Sequence, residues 1–216
     1  MNYPGIILHM NTIPYPHATA FAGTRRIATG ALDRVALKVK QAVDAQAQEL
    51  LLVFDDSTGQ SIDLDFRGSP VDFARRLAER FAPAAAEAGG GPRGPGRPRL
   101  GVVAREVTLL PRHWDWLASQ PGGASVALRK LVEQARRAHE PEDRRRQAQE
   151  ACYRFMSAMA GNERGFEEAS RALFASDLSQ FQLNTRGWPA DVRAQATKLA
   201  AVAFTEIKSQ PESAPH

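Results

Sequence analysis

The stretch that most limits how this chain can fold lies near its middle. Residues 82–99 read Ala-Pro-Ala-Ala-Ala-Glu-Ala-Gly-Gly-Gly-Pro-Arg-Gly-Pro-Gly-Arg-Pro-Arg. Such a composition cannot bury a core, so we interpret these residues as a linker. The chain has 216 residues, which is enough for one ordinary domain or two small ones. The linker therefore predicts separate folded segments before and after it.

The segment before the linker, residues 18–81, has the pattern of a small α+β domain, and residues 1–17, with three prolines, predict a flexible arm. Apolar residues recur at three and four positions in its helical stretches and alternate in its strands. We predict short strands at Thr19–Phe21 and Arg25–Ala28, a helix from Leu32 to Val43, a β-hairpin formed by Leu50–Phe54 and Ile62–Phe66, and a helix capped by Ser69 and opened by Pro70.

After the linker, residues 100–140 predict a strand, a short helix, a glycine turn and a second helix that Ser125 can cap. Residues 141–208 show helical periodicity throughout and predict an all-helical domain, and residues 209–216 predict a frayed tail. The predicted fold class is therefore α+β. Three apolar stripes define the helices of the last domain: one runs from Ala148 to Met159, one from Phe166 to Phe174, and one from Val192 to Ile207.

The net charge of +4 is concentrated in one block. Residues 93–137 hold nine basic and three acidic side chains, a local charge of +6, whereas the rest of the chain sums to −2. A localised positive field attracts polyanions, so duplex DNA is the first partner to consider and an acidic protein surface the second. A solvated basic helix face beside a linker is the alternative interpretation.

The order strand, helix, Gly-containing turn, helix within residues 100–138 resembles the ribbon-helix-helix module. In that family two chains pair their strands into a ribbon that enters the major groove, and the start of the second helix binds a phosphate. The resemblance implies a homodimer, with Arg105 as a base reader and Arg129 and Lys130 near phosphates. The implied phosphate clamp is Gly123, Ala124 and Ser125, and the implied dimer core is Leu110, Trp114, Leu117, Leu128, Leu131 and Val132.

Side chains of a strand alternate between its two faces, so two alternative sets of side chains in the predicted strand could face the DNA. If Leu110 faces the core, Arg105, Val107 and Leu109 face the groove; with the opposite parity, Glu106 and Thr108 face it.

The linker contains Gly96-Arg97-Pro98 flanked by Arg93 and Arg99, which is similar to an AT-hook. In such a motif an extended Gly-Arg-Pro core lies in the narrow minor groove. The similarity implies that Arg97 and Arg99 contact DNA beside the ribbon. A soluble spacer that binds nothing is the alternative interpretation of the same residues.

At the level of the whole chain, three motifs carry a family resemblance: Gly96 to Leu117 (GRPRLGVVAREVTLLPRHWDWL), Gly122 to Leu131 (GGASVALRKL) and Phe155 to Gly161 (FMSAMAG). With them the chain resembles the Domain of Unknown Function 2239 family of bacterial proteins. The resemblance spans residues 18 to about 207 and implies no activity.

The sequence contains no pattern typical of an enzyme, a cofactor site or a metal site. Four aspartates around the predicted hairpin, Asp55, Asp56, Asp63 and Asp65, fit turn and solvation chemistry better than Mg²⁺ binding. The five histidines have no metal-ligand spacing. The one cysteine, Cys152, lies in an apolar stripe and predicts a buried structural thiol.

We also expect no membrane partner, since no apolar run is long enough to span a bilayer and the mean hydropathy is −0.37. The single cysteine and the lack of a signal-peptide pattern favour the cytoplasm.

Two functions remain open at this point. The favoured one is a homodimeric, ribbon-helix-helix-like DNA-binding protein, such as a transcriptional regulator. The alternative is a non-enzymatic interaction module that uses the same segment only to dimerise. An enzyme with an atypical site between the flanking domains ranks third.

Overall fold

A computed structural model of the chain describes residues 15–81, 103 and 105–205. The predicted α+β class is confirmed, since the described residues form a three-stranded antiparallel sheet followed mostly by helices. The elements are β1 (His17–Ala22), β2 (Arg25–Ala31), α1 (Leu32–Asp44), β3 (Leu51–Asp55), α2 (Pro70–Phe81), α3 (Pro111–Ser119), α4 (Gly123–Ala160), α5 (Phe166–Phe174), α6 (Leu178–Asn184), α7 (Ala190–Ala200) and a short 3₁₀ helix (Ala201–Phe204).

The chain divides into two compact units that differ from the predicted boundaries. The first unit combines residues 1–86 with residues 144–216, and the second comprises residues 87–143. The N-terminal α+β segment and the C-terminal helices therefore belong to one folded unit. Most of the predicted arm, the linker and the predicted tail lie outside the described residues.

The sheet explains why the two distant segments share a unit. Its strand order is β2-β1-β3, so β1 is central, and Ala20 of β1 pairs with Val53 of β3. Successive side chains of a strand point to opposite faces. Ala20 and Val53 pack with α1 and α2 on one face, whereas Phe21 and Phe54 belong to the core of the C-terminal helices. Both faces of the sheet are thus covered by helices.

The C-terminal core confirms the three predicted apolar stripes within the described residues except at Phe174, the end of the second stripe, which is 52% exposed. Phe155 is fully buried, and its ring centroid lies 5.6 Å from that of Phe21 and 5.0 Å from that of Phe54. Trp188 is buried beside them and donates its indole N–H to the carbonyl of Arg164 at 3.1 Å. Ile207, the last member of the third stripe, lies outside the described residues.

The predicted hairpin is wrong in its second strand. Leu51–Asp55 is a strand, but it pairs with β1, and only one isolated bridge joins Phe54 to Ser61. Apolar and acidic residues alternate over residues 62–66 because the apolar ones, with Leu64 at their centre, pack against the core beside α1 and α2. Arginines of α2 bind the backbone carbonyls that a partner strand would otherwise bind: Arg76 donates to the carbonyls of Asp65 and Arg67, and Arg80 to that of Asp63.

The start of α2 is confirmed as predicted. The helix begins at Pro70, and the backbone N–H of Asp72 donates to the Ser69 hydroxyl at 3.2 Å. The Ser69 hydroxyl in turn donates to the Asp72 carboxylate at 2.7 Å and lowers its pKa. The Ser69 hydroxyl thus caps the helix by accepting from the N–H of Asp72, one of the donors left free at the first turn.

The second helix after the linker is longer than predicted. We expected it to end near residue 140, yet α4 is continuous for 38 residues and contains Pro141. Apolar periodicity stops before Pro141, and proline removes one N–H from the helical hydrogen bonds. Good helix formers on both sides and hydrogen-bonded side chains one turn apart, such as His139 Nδ1 and Glu142 Oε2 at 3.3 Å, continue the helix. Within the described residues, none of the helices combines the length and apolar character needed to cross a membrane.

Candidate functional site

The candidate site is the second unit, which contains α3 and the first 21 residues of α4. Its predicted short helix and glycine turn are confirmed. Pro111 stands at the first helical position of α3, and Gly122 and Gly123 both adopt left-handed backbone angles, with φ of +87° and +74°. Side chains other than glycine rarely adopt such angles, so the Gly-Gly pair allows the tight reversal into α4.

The start of α4 corrects one expectation. The helix begins at Gly123, two residues before Ser125, so Ser125 lies within the first turn and does not cap the helix. The N–H of Gly123 donates to the carbonyl of Gln120 at 2.9 Å. Within the predicted phosphate clamp Gly123–Ser125, the N–H groups of Ala124 and Ser125 therefore lie in the first turn of α4, where no helical carbonyl accepts them.

The predicted strand is not present in the described part of residues 100–110. Residues 105–110 have no regular secondary structure, and residues 105–109 make no backbone hydrogen bond to another described residue. A strand is stabilised by pairing, and all three strands of the structure belong to the other unit. The backbone groups of residues 105–109 therefore have no backbone partner among the residues that the structure describes.

The predicted dimer core is mostly exposed in the single chain. Among the described residues of the second unit, only Leu117 and Ala127 are buried, and Leu128 is half-buried. The other four members of the predicted core, which we call the apolar face, are between 40% and 63% exposed. The apolar face consists of Leu110, Trp114, Leu131 and Val132.

The basic side chains of this unit divide into two groups. Arg136 and Arg137 both bind Glu133, at 2.9 Å and 2.8 Å, and hydrogen bonds from the two guanidinium groups lower the pKa of Glu133 to about 2. These two arginines share one carboxylate, so the three side chains together keep a net charge of +1. Four exposed cations, which we call the basic surface, form no ion pair with any described carboxylate: Arg105, Arg112, Arg129 and Lys130.

Arg129 is also oriented by its own helix, because its Nε donates to the carbonyl of Ser125 at 3.0 Å. Arg129 and the predicted clamp therefore lie together at the start of α4. Arg97 and Arg99, the predicted minor-groove arm, lie outside the described residues.

In the first unit, a polar network that the sequence patterns did not reveal surrounds Asp56. The Asp56 side chain is 8% exposed and accepts hydrogen bonds from the Thr19 hydroxyl at 2.7 Å, Gln195 Nε2 at 2.9 Å and Lys198 Nζ at 2.8 Å. These contacts join β1, the end of β3 and α7. Gln195 and Lys198 are 139 and 142 residues from Asp56 in sequence, so no local spacing could indicate them.

The other groups considered for chemistry have structural roles. Asp55 accepts hydrogen bonds from Ser57 and Thr58 in a turn, and a hydrogen bond from Arg67 is the main cause that lowers the pKa of Asp65. Among the described residues, no group of three or more His, Cys, Asp or Glu side chains is arranged to hold a metal ion. Burial raises the pKa of the Cys152 thiol to about 12, which confirms a buried, unreactive cysteine.

Comparison with known proteins produced one match. The sequence pattern of a family described as "Uncharacterized protein conserved in bacteria (DUF2239)" matches residues 17–200. No curated protein and no solved structure matches the chain.

Proposed function

The chain belongs to the DUF2239 family of bacterial proteins, and from the geometry of its second unit we propose that it is a homodimeric, ribbon-helix-helix-like DNA-binding protein. The observation that carries the proposal is the combination of the apolar face and the basic surface on one short segment. A second copy of the chain would bury the apolar face, and a polyanion would bind the basic surface. A transcriptional regulator in the bacterial cytoplasm is the role that fits both.

The apolar face supports dimerisation. Leu131 and Val132 lie three and four positions after Leu128 on α4, so the three side chains form a single stripe on that helix. Leaving large apolar side chains in water forgoes about 1.5–3 kcal/mol for each one that a partner could bury. A second copy presents the same stripe, so a symmetric contact can cover both.

The unpaired segment at residues 105–109 supports the same partner. Its N–H and C=O groups have no described backbone partner, and an exposed strand edge pairs readily with an equivalent edge. Two copies of this segment would form the antiparallel ribbon that the resemblance implies. In such a ribbon Arg105 shares a face with Val107 and Leu109, and this face would contact the major groove.

The basic surface supports DNA as the ligand. Two copies supply eight cations from the basic surface, and Arg97 and Arg99 would add to them. Phosphate contacts contribute most of the affinity and make it depend on salt. Arg136 and Arg137 share the negative charge of Glu133, so they contribute less to this field than two unpaired arginines, which provides an internal comparison.

The dimer is tested by light scattering of the full chain over a range of concentrations. We expect a dimer at micromolar concentration for the wild type and a folded monomer for Leu131→Asp, because a charge on the apolar face prevents its burial. Leu183→Asp, on α6 of the first unit, is a matched control of similar exposure and should remain dimeric. A monomeric wild type would contradict the proposal.

DNA binding is tested by fluorescence anisotropy with duplex fragments at increasing salt. A dimer that neutralises about six to ten phosphates should lose on the order of 10³ to 10⁵ in affinity between about 50 and 200 mM salt. The double variant Arg129→Ala/Lys130→Ala should weaken binding to all sequences, whereas Arg136→Ala/Arg137→Ala should change it little. Arg105→Ala should reduce sequence preference.

A dimer that binds no duplex at low salt would favour the alternative function, a protein-interaction module. That outcome would leave the dimer interface intact and remove DNA from the proposal. If the two double variants weakened binding equally, the division of the basic side chains into the basic surface and the pair bound to Glu133 would be wrong.

A further inference from the structure

Helix α3 carries two tryptophans, Trp114 and Trp116, on different sides of the helix. Residues two positions apart on an α-helix are turned by about 200° from each other. Trp114 lies three positions before the buried Leu117 and belongs to the apolar face. Trp116 lies four positions after Arg112 of the basic surface and is 52% exposed. One tryptophan therefore shares its side with the proposed dimer contacts, and the other shares its side with a cation proposed to contact DNA.

We propose that Trp116 stacks on a nucleobase that leaves the helical stack of the bound DNA. The inference rests on the proposed function and adds one contact to the same site. Tryptophan is highly buried on average, so an indole left half exposed has a large apolar surface available for a ligand. Its indole N–H donates to no acceptor among the described residues. A nucleobase has a flat aromatic face that covers such a surface, and proteins hold unpaired bases by stacking them on aromatic side chains.

The charges near Trp116 favour a nucleic acid over an isolated base. Arg112 forms no ion pair with a described carboxylate, so its guanidinium group is available to a phosphate. Asp115, the carboxylate of α3, offsets the charge of Arg112, so α3 alone does not attract a polyanion. The attraction comes from the other three cations of the basic surface. A polymer can contact those cations through its phosphates and Trp116 through one base, whereas an isolated base can make the second contact alone.

The end of α3 holds the backbone of Trp116 in a defined position. The Ser119 hydroxyl donates to the carbonyl of Trp116 at 2.7 Å, and Nε2 of Gln120 donates to the same oxygen at 3.3 Å. These bonds satisfy a carbonyl in the last turn, where the helix leaves carbonyls free. The next residue, Leu117, is buried and anchors the helix. A side chain on a fixed backbone loses less conformational entropy on binding than one on a flexible loop.

The test compares two fluorescent duplexes of the same sequence, one fully paired and one with a single unpaired thymine, in anisotropy titrations of the full chain. An unpaired base leaves the stack at little cost, so the wild type should bind this duplex about fivefold or more tightly than the paired one. Trp116→Leu keeps an apolar side chain without the aromatic ring and should abolish the preference. Trp116→Phe keeps a ring and should retain part of it.

Two controls separate stacking from other roles of the side chain. Tyr153→Leu removes an aromatic side chain of the first unit that is 40% exposed, and it should leave the preference unchanged. Light scattering should show that Trp116→Leu remains as dimeric as the wild type. A monomeric Trp116→Leu would assign Trp116 to the dimer interface and overturn the inference.

The salt dependence of binding distinguishes failure of this inference from failure of the proposed function. Equal binding of the two duplexes by the wild type, or a preference that Trp116→Leu retains, would overturn the inference. Steep salt dependence with the paired duplex would still support the proposed function in that case. If the wild type bound neither duplex at low salt, both the stacking contact and the proposed DNA binding would be wrong.

Discussion

The two units of this protein differ in how they treat their apolar side chains. In the first unit, the sheet carries apolar residues on both faces, and helices from opposite ends of the chain cover them. Among the described residues of the second unit, two are buried, and seven large apolar side chains, including the four of the apolar face, are exposed. The first unit completes its own core, whereas the second has an apolar surface that a single chain leaves uncovered.

This difference indicates which kind of function each unit can support. A self-contained core can hold polar side chains in place through buried partners, as Asp56 holds Lys198. An incomplete core instead favours association, because association is the way to remove its apolar area from water. Shortening an apolar side chain should therefore lower the free energy of unfolding in the first unit, whereas in the second unit it should weaken association.

The largest expected effect is the loss of Phe155. Phe155→Ala removes a fully buried ring that contacts Phe21 and Phe54, and it should lower the free energy of unfolding by about 3–5 kcal/mol. Urea denaturation measured at low protein concentration would show this loss. Val132→Ala in the second unit should change the same quantity by less than about 0.5 kcal/mol and act on the dimerisation constant instead. Equal losses in the two variants would remove the contrast between the units.

A smaller effect is expected at Gly59, where the turn after β3 touches α4. Gly59 has φ of +66°, and a Cβ atom there would lie 1.9 Å from the carbonyl oxygen of Ala151. Gly59→Ala should therefore lower the free energy of unfolding by about 2 kcal/mol or more, from backbone strain and steric overlap together.

Gly23→Ala is the matched control for this contact. Gly23 has φ of +54°, but no atom lies within 4 Å of the position of its Cβ. Its substitution should cost only the backbone strain, about 1 kcal/mol. If thermal or urea unfolding gave the same loss for both variants, the close approach of the turn to α4 would contribute nothing to the first unit.

The smallest effect is expected at Glu133, which forms ion pairs with two arginines of the second unit. Glu133→Gln should free Arg136 and Arg137 and raise the affinity for DNA by up to about fivefold, as expected for an exposed ion pair. Because the pKa of Glu133 is lowered to about 2, the carboxylate remains charged as the pH falls through the usual range of glutamate, and it becomes neutral only near pH 2. The difference in anisotropy between variant and wild type should therefore be constant from about pH 5 to 8. A difference that disappeared toward pH 5 would contradict the ion pairs.

Local sequence patterns were sufficient for several elements. Helix α1 was predicted from its apolar stripe, α2 from its stripe and from the cap formed by Ser69 and Asp72 three positions apart, and α3 as a short helix that begins at Pro111. Cys152 was placed correctly in a buried stripe. These features depend on neighbours within one or two turns, and such neighbours can be read directly from the chain.

The remaining features depend on contacts between distant residues. The alternation of residues 62–66 indicated a strand, but alternation records which side is buried and does not show whether carbonyls bind a strand or arginine side chains. The shared core of the first unit has a signal in hindsight: apolar residues occupy both faces of β1, as in a sheet that is covered on both sides. The contacts of Asp56 with Gln195 and Lys198 have no local signal at all.

The arginines that bind the carbonyls of residues 63–67 have a further consequence for how this protein behaves in concentrated solution. The outer side of β3 is already occupied, because Asp55 donates to Gln60 and Ile62 donates to Val53. On the opposite side of the sheet, the N–H of Arg26 in β2 is bound by Asp191 at 2.8 Å. The β3 margin of the sheet is thus protected against the strand addition that begins amyloid-like aggregation, and Asp191 occupies one donor of the β2 margin. A further strand could pair with β3 only after these hydrogen bonds of residues 60–62 break.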